Sequence, residues 1–118
     1  MVRVLVCGGR QFEDRDTLNA ALDKLHQERG FTLLIAGGAR GADSLAEAWA
    51  KAAGVPRKIN TPYWEHPGKR NQKMLDKGQP DLVVAFPGGR GTAHMTHIAR
   101  EAGIEVAMID EGGLTPTS

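Results

Sequence analysis

Leu82-Val83-Val84-Ala85-Phe86-Pro87-Gly88-Gly89-Arg90-Gly91-Thr92 is an all-apolar run that ends on proline, three glycines, an arginine and a threonine. Four to five consecutive apolar residues bounded by turn residues suit a strand buried on both faces, which is the habit of parallel sheets. The pattern recurs twice: Val4-Leu5-Val6-Cys7-Gly8-Gly9-Arg10, and Leu33-Leu34-Ile35-Ala36-Gly37-Gly38-Ala39-Arg40-Gly41. Further strands are predicted over 56–60 and 105–109, giving candidates at 2–7, 32–36, 56–60, 81–86 and 105–109. Helical periodicity separates them. Leu18, Ala21, Leu22 and Leu25 share one face of a helix over 14–29, capped by Asp14 or Asp16 and stopped by Gly30. A second helix is predicted from Asp43 to Gly54, with Ser44 and Glu47 spaced as a capping box. A third covers 70–77, and a fourth runs from Gly91 or Thr92 to Ala102 with Met95, Ile98 and Ala99 in register.

Alternating strands and helices predict an α/β fold: a Rossmann-like, doubly wound parallel sheet of about five strands in three αβα layers. One domain is expected over 1–110, with a flexible tail over 111–118 rich in Gly, Pro, Ser and Thr. In such sheets ligands bind outside the carboxyl ends of the strands, where the strand order reverses. All three glycine–arginine segments are predicted at carboxyl ends.

Composition narrows the function. With 118 residues, 41% hydrophobic and 25% charged, the chain can bury a core without metal or disulfide staples. A formal charge of +1, one tyrosine and two tryptophans offer little for a nucleic-acid track, which needs basic surface and several stacking aromatics. The apolar runs are too short to cross a bilayer, so no membrane partner is expected. The chain enters a strand at once, which predicts no secretory leader, and the lone Cys7 fits a reducing, cytoplasmic setting. Cys7 reads as a small core residue rather than a reactive thiol.

The chemistry lies in the loops. Glycine lets the backbone approach a ligand closely, and arginine supplies a planar fork of donors for phosphate or carboxylate. Helices that follow such loops present unpaired amides to an anion. A converging anion site is therefore expected from Gly8, Gly9, Arg10, Gly37, Gly38, Ala39, Arg40, Gly41, Lys69, Arg70, Asn71, Pro87, Gly88, Gly89, Arg90, Gly91 and Thr92. The pattern is neither a Walker loop nor Gly-x-Gly-x-x-Gly. Asp43 is either an N-cap or a ligand contact, such as to ribose hydroxyls. His94 and His97 are three apart on a helix, and His66 lies in a loop; without a third ligand, solvated histidines are the better reading and no metal is expected. His94 stays a candidate acid or base. Tyr63 and Trp64 either stack on a base or close the core.

Gly37-Gly38-Ala39-Arg40-Gly41-Ala42-Asp43, Lys69-Arg70-Asn71-Gln72-Lys73-Met74-Leu75 and the Pro87–Thr92 loop together resemble the SLOG superfamily over about residues 2–110. That superfamily includes the LOG nucleoside-monophosphate phosphoribohydrolases and the DNA-processing protein A family. The closest likeness is to its small YspA-like branch. The resemblance implies a Rossmann-like domain binding a nucleotide or nucleotide-derived ligand, without a cofactor, commonly as a homodimer. Its alternatives are LOG-type hydrolysis of a nucleoside 5'-monophosphate, with Arg70, Asp43 and His94 as candidate catalytic residues, and single-stranded DNA binding. Arg70-Asn71-Gln72-Lys73-Met74 matches the LOG arginine segment at Arg70 and Met74. The LOG glutamate three residues beyond the threonine is here Met95, which removes the carboxylate that would support an oxocarbenium-like centre.

Overall fold

A computed structural model describes residues 2–37, 40–59, 67–110 and 113–114, with backbone alone at 59, 67–70, 110 and 113–114. Chain order is β1 (Val2–Cys7), α1 (Arg15–Arg29), β2 (Phe31–Ala36), α2 (Ala42–Ala53), β3 (Arg57–Ile59), α3 (Pro67–Gly78), β4 (Leu82–Ala85), α4 (Arg90–Glu101), β5 (Glu105–Asp110) and β6 (Gly113–Leu114). The sheet runs β3-β2-β1-β4-β5-β6. The pairs among β1 to β5 are parallel, so the doubly wound α/β expectation holds. After β3 the chain returns to the far side of β1, and the strand order reverses between β1 and β4.

Alternation along the strands divides the core in two. Val4, Val6, Leu34, Leu82, Val84 and Ala107 pack with Leu18, Leu22 and Leu25 of α1 and Ala46, Trp49 and Ala50 of α2. Leu5, Ile35, Val83 and Val106 point the other way, against Met74 and Leu75 of α3 and Met95 and Ala99 of α4. Burying a side chain of this size contributes about 1.5–3 kcal/mol, so both faces must be covered for the sheet to persist. Trp49 satisfies its indole N–H on Asp23 at 2.7 Å, which lets a large ring sit 5% exposed between α1 and α2.

Two expectations change, both at the start of α2. Asp14 caps α1 as expected, accepting from the Thr17 amide at 3.1 Å and its hydroxyl at 2.7 Å. In α2, however, the N-cap is Gly41. Asp43 lies inside the first turn and Ser44 one residue further, so neither caps the helix and no Ser44–Glu47 capping box forms. The chain turns into α2 at φ 77°, a left-handed conformation that excludes aspartate and serine far more than glycine. Within 111–118, Gly113 and Leu114 pair antiparallel with Asp110 and Ile109.

Candidate functional site

The three glycine loops are packed against one another, backbone to backbone. The Gly9 amide donates to the Pro87 carbonyl at 2.8 Å, the Ala42 amide to the Gly9 carbonyl at 3.2 Å, and the Phe86 amide to the Cys7 carbonyl at 2.9 Å. No room is left for side chains. A Cβ on Gly8 would lie 2.5 Å from the Ala42 Cβ, one on Gly41 would run into the Gly9 carbonyl, and one on Gly88 would strike the Thr92 hydroxyl. Several of the glycines read as close-approach positions for a ligand therefore serve the approach of loop to loop. Gly89 and Gly91 differ, since a Cβ on either meets nothing within 4 Å among the described residues.

Behind this junction, at the β1/β4 reversal, lies a cleft of about 370 Å³. Its floor is Val6, Cys7, Met74 and Met95. Its walls carry Asp43 from α2, Asn71 from α3, Gly89, Gly91 and Thr92 from the start of α4, and Arg10 from the loop after β1. Two helix N-termini thus adjoin the cleft, with opposite character. The first turn of α2 holds its own carboxylate, Asp43; the first turn of α4 holds no acid. The positive end of a helix dipole favours an anion, and at α4 that position is open. The first amide bond of α4 to close is Ala93 to the Gly89 carbonyl at 3.1 Å, so the preceding amides make no such bond within the helix.

Asp43 and the thiol of Cys7 interact across the cleft. Burial first, and the Asp43 carboxylate second, push the Cys7 thiol well above its ordinary range, so it stays protonated. Cys7 is half-buried at the floor, packed beside the α3/α4 core, which joins the core role expected of it to a place in the cleft. Asn71 donates from Nδ2 to the Gly91 carbonyl at 3.1 Å and lies 3.2 Å from His94 Nδ1. Asn71 thereby ties α3 to the first turn of α4.

The predicted residues separate into groups. Gly8, Gly9, Arg10, Gly37, Asp43, Asn71, Gly89, Gly91 and Thr92 line the cleft. Arg40 and Gly41 border a different hollow beside it, and Pro87 and Gly88 a third. Arg90 is exposed at the start of α4 and lines none of these, so the three arginines do not converge on one point. His94 is not among the cleft's lining residues, and His97 pairs with Glu101 one turn on. Gly38, Ala39, Tyr63, Trp64 and His66 lie outside the described residues, as do the side chains of Lys69 and Arg70. Met74 stands in the sequence only as a motif match, and the structure adds its part in the floor. Its spacing held a signal, since Asn71 and Met74 are three apart and share a helix face.

The family model for YspA, cpYpsA-related SLOG proteins matches residues 2–66. The chain belongs to this SLOG family. Gene 61 protein of Mycobacterium phage D29 is 39% identical over 119 residues, spanning 90% of this chain and 94% of that protein. Among solved structures, MurG of Acinetobacter baumannii superposes with TM-score 0.56 at 15% identity, over 92% of this chain and 34% of that one. UDP-GlcNAc 2-epimerase of Methanocaldococcus jannaschii, in complex with UDP-GlcNAc and UDP, gives 0.54 at 20% identity, over 90% and 31%. The Neisseria meningitidis epimerase bound to UDP-GlcNAc gives 0.52 at 14%, over 90% and 31%. These likenesses show the Rossmann-like fold, and the chain spans about a third of each of those proteins. Among the described residues no helix is long and apolar enough to cross a membrane.

Proposed function

We propose that this SLOG protein binds a nucleotide or nucleotide-derived ligand in the cleft at the β1/β4 reversal. One observation carries the reading: the acid-free first turn of α4, with the open positions Gly89 and Gly91, faces a cleft whose other wall holds a carboxylate. A phosphate fits the α4 amides and the Thr92 hydroxyl side, with Arg10 at the mouth. Asp43, on the facing helix, suits hydroxyl donors such as those of ribose. The floor of Met74, Met95 and Cys7 offers soft apolar contact to a flat ring. Arg70 precedes Asn71 on α3 and is assigned to phosphate by family resemblance. Nucleotide-sugar ligands in the structural neighbours are compatible with this reading at the level of fold.

Binding is favoured over hydrolysis because Met95, at the place of the LOG glutamate, is 1% exposed and packed among Leu5, Ile35 and Val83. A homodimer in a reducing, cytoplasmic setting completes the reading. The test is a thermal-shift panel of AMP, GMP, CMP and UMP on the native protein and on Arg70→Ala. A ligand at a hundred times its dissociation constant adds about 2.7 kcal/mol, several degrees for a chain of this length. The expected result is a shift with at least one nucleotide, lost in Arg70→Ala while the free variant melts normally. No shift with any of the four, or a variant that is unfolded, refutes the assignment.

A further inference from the structure

Three hollows meet at one side chain. Arg10 lines the inner cleft, a hollow of about 810 Å³ between the 10–16 segment and the start of α2, and one of about 720 Å³ toward Pro87. In the 810 Å³ hollow, which Arg15 also lines from the start of α1, Arg40 joins it. Neither Arg10 nor Arg40 has a hydrogen bond or ion pair among the described residues. Arg10, Arg15 and Arg40 balance the carboxylates of Glu13, Asp14 and Asp16 in formal charge around this hollow, so an anion is held there by the forked donors of Arg10 and Arg40 rather than by net charge, above all a phosphate that takes donors from both. The same hollow carries Glu13 and Asp16, and half-buried Leu45 and Phe12 give it an apolar side, the latter ring held 5.3 Å from Phe86. Asp14 is committed to capping α1.

We propose that this outer hollow is a second subsite, which receives the part of the ligand beyond its first phosphate. Arg10 and Arg40 take a second phosphate, and Glu13 and Asp16 accept from the hydroxyls of a group attached to it. The ligand class is then a pyrophosphate-linked nucleotide with a second sugar or nucleoside, which begins in the inner cleft and leaves it past Arg10. The 720 Å³ hollow is the weaker route, because Arg10 is its only arginine among the described residues. The proposal rests on the inner-cleft reading given above.

The experiment is calorimetric titration of the native protein, Arg40→Ala and Arg40→Lys. The probes are AMP, GMP, CMP and UMP, and the pyrophosphate-linked dinucleosides of the same bases. The expected result is a dinucleoside bound about tenfold or more tighter than its mononucleotide, about 1.4 kcal/mol. Arg40→Ala removes that gain and leaves the mononucleotide affinity as it was, while Arg40→Lys keeps part of the gain. Arg40 is exposed, so all three proteins should melt alike. A mononucleotide that binds with no gain from the dinucleoside, or a gain that survives Arg40→Ala, overturns the second subsite and leaves the inner site standing. No binding of any probe overturns both.

Discussion

Gly91→Asp separates the fold from the site more sharply than any truncation, because the two should move in opposite directions. Gly91 is the second residue of α4 after its N-cap Gly89, it is exposed, and a Cβ there meets nothing within 4 Å. Aspartate is a slightly better helix former than glycine, by about 0.3 kcal/mol. A carboxylate in a first turn adds about 0.3–1 kcal/mol through the helix dipole. The variant should therefore be more stable by about 0.6–1.3 kcal/mol, a rise of about 2–6 °C in melting temperature. Binding should collapse. A carboxylate about 5 Å from one phosphate charge, at an effective dielectric of about 20, repels it by about 3 kcal/mol, or about a hundredfold in affinity. Gly91→Ala is the control, expected to gain stability from the lost glycine entropy and to keep binding. Differential scanning fluorimetry and calorimetric titration with the nucleotide that binds the native protein read both quantities. Affinity unchanged in a stabilised Gly91→Asp protein would move the phosphate away from α4. A lower melting temperature would mean that the start of α4 is not as open as its geometry states.

Other substitutions test the framework. Gly41→Ala must both adopt φ 77° and push into the Gly9 carbonyl, so it should cost more than Gly54→Ala, which has φ 73° and open space around it. The expected costs are about 1–2 kcal/mol for Gly54→Ala, from backbone conformation alone, and clearly more for Gly41→Ala in urea denaturation; equal costs would mean that the loop junction is loose. Arg29 clamps Glu105 with two bonds of 2.7 and 2.6 Å, tying the end of α1 to the start of β5. This bond holds the Glu105 carboxyl below its ordinary 4.5. The pair's stabilisation is thus complete above about pH 4.5 and fades as pH falls through the lower folded value. Partial exposure of both groups limits it to about 0.2–1 kcal/mol, so Arg29→Ala should narrow the gap in stability between pH 7 and pH 3 by that amount.

Much of the framework was legible because parallel strands buried on both faces leave unbroken apolar runs. Leu82 to Ala85 and Val4 to Val6 have no other plausible setting. β6 was not legible: two residues carry no periodicity, and Gly113–Leu114 become a strand by pairing with the end of β5. The start of α2 was misread because Ser44 and Glu47 imitate a capping box, while the deciding constraint, a left-handed turn at Gly41, belongs to the backbone. In the site, Asp43, Asn71 and Thr92 could be assigned from motif order. Arg90 could not, since a loop arginine and a helix-start arginine read alike in sequence yet here end in different places. Cys7 and Met95 read as core, and only the sheet reversal shows that the same core forms the cleft's floor.

The interlock of Gly8, Gly41 and Gly88 also sets a condition on when the protein can act. Its three backbone segments lie near the start, about a third of the way and about three quarters of the way along the chain, and the loop after β1 is held between the other two. A nascent chain that has not yet delivered Pro87 to Thr92 lacks one wall of the cleft and the helix start beside it. If the proposed cleft is the binding site, fragments ending before α4 should neither bind nor compete for ligand, however well their β1–β3 half is made. The same interlock confines insertions and deletions. A single added residue within the junction would displace two loops at once.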